Sequence, residues 1–274
     1  MDILFITDFT FPYGAAWSSR ARNLYKLFKA CGHDVHLIAK YSGSEENKSA
    51  DGYDVEYVGF NYNSIKAYTI DKCRAYINTI NEYVRYNHVD VIVSSKMDYV
   101  YSAILKIARK KGISYVIEQC EWYDVSSFPG GFFNPKYWLY SYNMRWGYAR
   151  CDGVIAISSY LFNHFSKKVK HVVRIPSIID ITEYEPKLDF NTKDILNVGM
   201  CGSLGGSKEN IKVVFEGLLK VNHEKKRVTY HLYGPSKEEV IKAVGTELYN
   251  RCSNYVEIYG RIPQIDVAKS LKES

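Results

Sequence analysis

Between Ile195 and Val221 the chain reads ILNVGMCGSLGGSKENIKVVFEGLLKV, the stretch whose residue types are best suited to chemistry. Its branched apolar start (Ile195, Leu196, Val198) predicts a buried strand. The strand gives way to Gly202-Ser203-Leu204-Gly205-Gly206, and Ser207-Lys208-Glu209 predicts the opening of a helix. Gly205 and Gly206 bare their backbone N–H groups, because no Cβ stands in the way. A helix N-terminus carries partial positive charge and favours an anion over a cation. Lys208 in that first turn is therefore disfavoured unless an acidic ligand, a phosphate above all, shares the site. Glu209 beside it offers the alternative of neutralisation in place. The spacing is neither that of a P-loop, G-x-x-x-x-G-K-[ST], nor the dinucleotide pattern G-x-G-x-x-G. An enzyme using NAD(P) is accordingly the least favoured class.

A second loop of interest follows the first predicted strand. Asp8-Phe9-Thr10-Phe11-Pro12-Tyr13-Gly14-Ala15-Ala16 leads into a helix that carries Arg20 and Arg22 near its start. Gly14 and the small residues after it let a backbone come close to a ligand; a tight connection beside two surface arginines is the plainer alternative.

These loops need elements to position them. Short apolar runs near 2–7, 34–39, 54–58, 90–93, 113–118, 153–157 and 171–175 predict strands. Helical patterns fall near 18–31, 66–87, 97–111, 135–149 and 158–166. Ser18 is the expected N-cap of the first helix, and Gly32 its stop. The pattern lapses into a polar stretch between Pro176 and Asp194, then restarts. Strands near 195–200, 228–233 and 255–259 alternate with helices at 208–222 and 236–248 and one starting near Gln264. Such alternation predicts α/β architecture with parallel sheets. The expected domains are 1–178, a linker at 179–194, and a second domain at 195–274. Two doubly wound domains would face a cleft lined by strand C-termini, where open α/β sheets bind ligands.

Composition narrows the function. The 274 residues are 46% hydrophobic, enough for one large or two modest cores. The charge of +6 suits acidic small molecules or an anionic membrane face and is too mild to imply nucleic acid. Six scattered cysteines with no C-x-x-C argue against a zinc site or a disulfide framework, and for a reducing cytosol. The N-terminus enters a strand without a basic leader, and no apolar stretch is long enough to span a bilayer. A soluble or at most peripheral protein is expected. The 25 tyrosines are unusual, and many crowd into residues 115–148.

Taken in chain order, these landmarks resemble the retaining glycosyltransferases of family 4, which have the GT-B fold. Gly14-Ala15 stands where that family has a Gly-Gly pair. Cys31-Gly32-His33-Asp34-Val35 is similar to its G-H-x-V turn, and Ala149 to Ser158 (ARCDGVIAIS) to its A-D-x-V-I-x-x-S stretch. Ile175-Pro176-Ser177-Ile178-Ile179-Asp180 resembles its I-P-N-G-I-D linker. The loop through Lys208 is similar to its donor-phosphate loop, and His231-Leu232-Tyr233-Gly234 and Val256 to Ile262 match two later strand ends. The chain also departs from the pattern. Ser203 takes the place of an Arg that partners the Lys, and no His follows the fifth strand, where Glu118-Gln119-Cys120-Glu121-Trp122 stands. The family's E-x7-E pair of glutamates is expected beyond the third strand of the second domain, past Ser274, so the second domain is expected to be incomplete and the chain a C-terminally truncated member.

The resemblance implies transfer of a sugar from a nucleotide-diphosphate donor to a hydroxyl of a glycan or lipid-linked acceptor, with retention. Surface polysaccharide synthesis is the implied setting. No cofactor and no metal are implied, since cations and helix N-termini stabilise the leaving diphosphate. Lys208 is the implied catalytic cation, and Glu118 or Glu121 could meet a sugar or acceptor hydroxyl. Gly14, Ala15, Gly202, Ser203, Gly205, Gly206, Gly234, Arg261 and Ile262 are the implied donor contacts. Arg20, Trp122 and Tyr123 are the implied acceptor contacts. The aromatic stretch from Trp122 to Trp146 lines the acceptor side or packs as core. Its partners would be a nucleotide sugar, the acceptor, the inner face of the cell membrane, and a second copy through the incomplete domain. Two alternatives stand beside this reading: a catalytically inactive truncated member that binds a partner, and a nucleotide-sugar 2-epimerase.

Overall fold

The computed structural model describes residues 1–40, 52–59, 65–183, 195–204, 210–263 and 266–273. The chain divides into two compact units, Met1–Ile179 and Asp180–Ser274.

Strand and helix alternate through the first unit. In order come β1 (Asp2–Thr10), α1 (Ala16–Ala30), β2 (Asp34–Lys40), β3 (Val55–Val58), α2 (Ile65–Tyr86) and β4 (Val91–Ser95). Then follow α3 (Tyr101–Lys111), β5 (Ser114–Gln119), α4 (Pro135–Arg145), β6 (Gly153–Ala156), α5 (Ser159–Phe165) and β7 (His171–Arg174). The seven strands form one parallel sheet in the order β3-β2-β1-β4-β5-β6-β7. Successive side chains of a strand point to opposite faces, so a sheet covered on both sides needs continuous apolar runs. In β1, Leu4 and Ile6 enter the core shared with α2 and α3, including Tyr76, Ile80, Tyr101 and Ile104. Ile3 and Phe5 enter the opposite core, beneath Ala21, Leu24 and Tyr25 of α1. The strand order reverses between β1 and β4. The crevice at their C-terminal ends is therefore the switch point where such sheets receive ligands.

Several helix boundaries differ from expectation. The first helix opens at Ala16 with Ala15 at the N-cap, and no side chain caps it. Ser18, the expected cap, lies buried inside the helix, with its Oγ 3.4 Å from Thr10 Oγ1. Small residues at 14–16 let the chain turn into the helix a little earlier than Ser18. At the other end Gly32 takes φ +78, the left-handed stop that its position predicts. The third helix starts at Tyr101 rather than near 97, because Lys96 takes φ 56 and Val100 N–H closes a turn on Met97 O at 3.0 Å.

In the second unit, β8 (Leu196–Cys201), β9 (Val228–Tyr233) and β10 (Val256–Gly260) pair in parallel in the order β10-β9-β8. They alternate with α6 (Ile211–Val221), α7 (Lys237–Val244), α8 (Thr246–Cys252) and α9 (Val267–Glu273). The core joins Ile211, Phe215 and Leu218 of α6 to Tyr230 and Leu232 of β9 and to Val240 and Val244 of α7. The single helix expected over 236–248 is two, because Gly245 breaks it at φ +91. Ser236 and Glu239 form a reciprocal capping box on α7. The expected buried strand β8 lies at the sheet edge, and its Leu196 and Val198 are exposed. Among the described residues, no helix is long and apolar enough to cross a membrane.

Candidate functional site

The switch-point edge of the first unit is organised around Glu118, the penultimate residue of β5. It is 1% exposed. Arg20 Nε of α1 donates to Glu118 Oε1 at 2.7 Å, Cys120 Sγ donates to the same oxygen at 2.6 Å, and Ser95 Oγ of β4 donates to Oε2. Arg20, itself 8% exposed, uses its other two nitrogens on the exit segment: Nη1 donates to Pro176 O at 2.8 Å and Nη2 to Ile175 O at 2.9 Å. Glu118 and Arg20, expected as a catalytic carboxylate and an acceptor contact, thus tie α1 to β5 and to the exit segment. Two buried charges are each other's counter-ions, and further hydrogen bonds within the protein hold both in place. Burial pushes the Cys120 thiol up, and the neighbouring Glu118 carboxylate adds to the shift. At the end of β1, Asp8 pairs with Lys72 of α2; burial lowers the Lys72 pKa against the raising pull of Asp8.

Beside this network lies a cavity of about 360 Å³, lined among others by Trp17, Ser19, Asn23, Cys120, Glu121 and Ser177. Of the two expected carboxylate residues, Glu121 is the one that lines this cavity. Trp122 and Tyr123 line a different cavity of about 410 Å³ with Tyr137, Arg145 and Tyr160. The expected acceptor residues therefore do not converge on one pocket. Sequence reasoning missed Trp17 and Asn23, although three-residue spacing from Arg20 already places both on its face of the helix. It also missed Lys96. That ammonium sits 5.5 Å from the Phe9 ring centroid and 5.6 Å from that of Trp17, and the two rings stack at 5.1 Å. A lysine in left-handed backbone at a strand's C-terminal end carries no local sequence signal.

Gly14 belongs to the same edge. A Cβ there would lie 2.3 Å from Thr10 Oγ1 and 2.5 Å from Ser18 Oγ, so glycine alone fits without displacing them. Ala15 follows as the exposed N-cap of α1.

The corresponding edge of the second unit is built from bare backbone. Gly202, Gly234 and Gly260 end, or directly follow, the three strands. Gly202 N–H donates to Tyr233 O at 2.9 Å, and Gly234 N–H to Gly260 O at 2.7 Å. Gly234 takes φ +119, and a Cβ on it would stand 2.2 Å from Gly202 O. Ser203, Arg261 and Ile262 continue from two of these strand ends, so the described donor residues expected in the second unit share one sheet edge, whereas Gly14 and Ala15 lie in the first unit. Gly205, Gly206 and Lys208 lie outside the described residues. Helix α6 opens at Ile211 with Asn210 at its N-cap, rather than near 208 as expected.

Among the described residues, Asp2, His88 and Asp90 bring three possible metal-ligand atoms within 4.8 Å of one another. They sit at the opposite, N-terminal edge of the large sheet, and Asp90 already accepts the Asp2 amide at 2.8 Å.

The sequence model of Glycosyltransferase Family 4 matches residues 18–183, more than half of the chain. No curated protein matches significantly. Among solved structures, the chain is similar to WaaG, a glycosyltransferase involved in lipopolysaccharide biosynthesis. The TM-score is 0.64 at 13% identity, covering 98% of this chain and 72% of that one. It is similar to the catalytic domain of starch synthase IV from Arabidopsis thaliana bound to ADP and acarbose, with TM-score 0.63 at 12% identity over 97% and 75% of the two chains. UDP-GlcNAc 2-epimerase from Methanocaldococcus jannaschii gives 0.59 at 12% identity over 98% and 75%. At such identities the likeness shows the fold, which is of GT-B type.

Proposed function

The chain belongs to Glycosyltransferase Family 4, and from that membership we propose that it moves a sugar from a nucleotide-diphosphate donor to an acceptor hydroxyl, with retention. The structural observation that carries the reading is the glycine edge of the second unit. There Gly234 passes so close to Gly202 that no side chain fits, and bare backbone faces the space beyond the strand C-termini. An anionic diphosphate can approach such an edge closely, with Lys208 stabilising the charge that develops on it as the glycosidic bond breaks. Epimerases share the fold, but the matched family favours transfer.

Lys208→Ala is expected to weaken nucleoside-diphosphate binding by about 1.5–3 kcal/mol, the size of a lost charge-assisted hydrogen bond. Calorimetry with UDP, GDP and ADP tests this; unchanged affinity for whichever binds would remove Lys208 from the site.

The reading extends to attachment at an anionic membrane face, as suits a lipid-linked acceptor and surface polysaccharide synthesis. Phe133 is 97% exposed, and Phe132, Trp138, Tyr142 and Trp146 are exposed around it. Residues 125–150 hold Lys136, Arg145 and Arg150 and no acidic residue. Exposed aromatics beside cations suit the interfacial layer of an anionic bilayer. The protein is expected to sediment with phosphatidylglycerol vesicles at low salt, to be released at high salt, and to ignore neutral vesicles. Absence from every pellet would retire the attachment.

A further inference from the structure

We propose that the open edge of the second unit's sheet is a self-association surface, at which β8 pairs antiparallel with β8 of a second copy of this chain across a two-fold axis. The backbone shows which groups are offered. Leu196 N–H donates to Arg227 O at 2.8 Å and Gly202 N–H to Tyr233 O at 2.9 Å. Bonding direction alternates along a strand, and the register with β9 runs without a shift from Leu196 to Cys201. Leu196, Val198 and Met200 therefore bond to β9, whereas Asn197, Gly199 and Cys201 turn their N–H and C=O groups outward. Among the described residues no strand pairs with that side, since β8 ends the sheet.

Edge strands that stay alone are protected by charges, prolines or bulges. Here residues 195–204, ILNVGMCGSL, hold no charged residue and no proline, and the pairing has no bulge. Leu196 and Val198 are 46% and 40% exposed. Helix α6 extends the surface. Its Ile211, Phe215 and Leu218 face the core, and Lys212, Glu216 and Leu219 line a cavity against α8. Val214, Gly217 and Val221 recur at helical spacing on the opposite flank, and both valines are exposed. Helices α7 and α8 link β9 to β10, so the flank turned away from them lies on the β8 side. A Cβ on Gly217 would meet nothing within 4 Å. Glycine destabilises a helix interior, and no close contact within the chain requires it there; the approach of a second helix does.

The edge also matches itself. With Gly199 opposite Gly199 of the second copy, Val198 meets Met200 and Asn197 meets Cys201, so apolar side chains face apolar ones. Val198 and Met200 stand on the face that carries α6, in register with Tyr230 and Leu232 of the core. The same axis thus brings the two Val214-Gly217-Val221 flanks together over the joined strands. A two-fold interface sets one patch against itself, so a charge near the axis would meet its own copy. Neither β8 nor that flank has one, and this uncharged self-match is what commits the edge to a second copy.

The test uses the full chain without ligand, so it succeeds or fails independently of sugar transfer. Sedimentation velocity from low to high micromolar concentration is expected to show monomer passing to dimer. Amide exchange by NMR should slow at Asn197, Gly199 and Cys201 as dimer forms, while Leu196, Val198 and Met200 are protected throughout. Val198→Lys and Val198→Glu each place like charges diagonally across the axis. Each should weaken the dimer at least roughly tenfold, the scale of two like charges brought together near a protein surface. Mixing the two variants should restore dimers, which an unfolded chain would not do. If either variant fails to fold, Val214→Lys and Val214→Glu take their place. A chain that stays monomeric at the highest concentration, a dimer whose three outward amides exchange as fast as in the monomer, or an oppositely charged pair that stays apart would overturn the proposal.

Discussion

Glu118→Ala is expected to lower the stability of the first unit by about 3–5 kcal/mol, because it leaves Arg20 as an uncompensated buried charge. The pair joins elements 98 residues apart in the chain, α1 and β5, and Arg20 also holds the carbonyls of Ile175 and Pro176. Removing the carboxylate strands the guanidinium and leaves Ser95 and Cys120 without their acceptor. The combined Arg20→Met, Glu118→Leu variant should lose much less, since an apolar pair of similar size needs no counter-ion. The readout is clean: all four tryptophans, Trp17, Trp122, Trp138 and Trp146, belong to the first unit, so urea unfolding by tryptophan fluorescence reports on it alone. A loss below about 1 kcal/mol, the scale of an exposed ion pair, would contradict the scaffold role.

Gly234→Ala should be comparably severe, in the second unit. The added Cβ meets Gly202 O at 2.2 Å and its carbonyl carbon at 2.9 Å. Both are backbone atoms, so no rotamer change relieves the contact. The residue also holds φ +119, where a Cβ is strained. Strain of about 1–3 kcal/mol and overpacking of about 1–3 kcal/mol act together. Hydrogen exchange should therefore show β8 and β9 losing protection, while the tryptophan transition of the first unit stays in place. Unchanged protection in those strands would show that the sheet edge has room the geometry denies. Nucleoside-diphosphate binding should fall with the same substitution, because the donor reading depends on that edge.

How much was legible beforehand differs by kind of feature. Each described strand follows from short-range pattern: the continuous apolar run of β1 reads as a strand covered on both faces, and Leu4 and Phe5 do enter opposite cores. Gly32 marks a helix end because its left-handed φ is a local requirement. Helix starts were less legible. Ala15 carries no capping side chain, so Ser18 drew the boundary away from Ala16. Gly245 inside an otherwise helical pattern was read through, yet it divides α7 from α8.

The sequence by itself determined the α/β class, the order of elements and the edge at which chemistry is placed. Each of these depends on neighbours within a few positions, or on the rule that parallel strands gather their C-termini. Only the tertiary structure decided which residues at that edge are buried against a counter-ion and which line a cavity. Nothing in Glu118-Gln119-Cys120-Glu121 announces that the first carboxylate is sealed against Arg20 while the second lines a cavity. Nothing in the helix around Asn23 announces that its amide reaches Ile178, 155 residues away. Those roles arise when crossovers bring distant segments together and burial leaves each polar group either a partner or a vacancy, which local pattern does not encode.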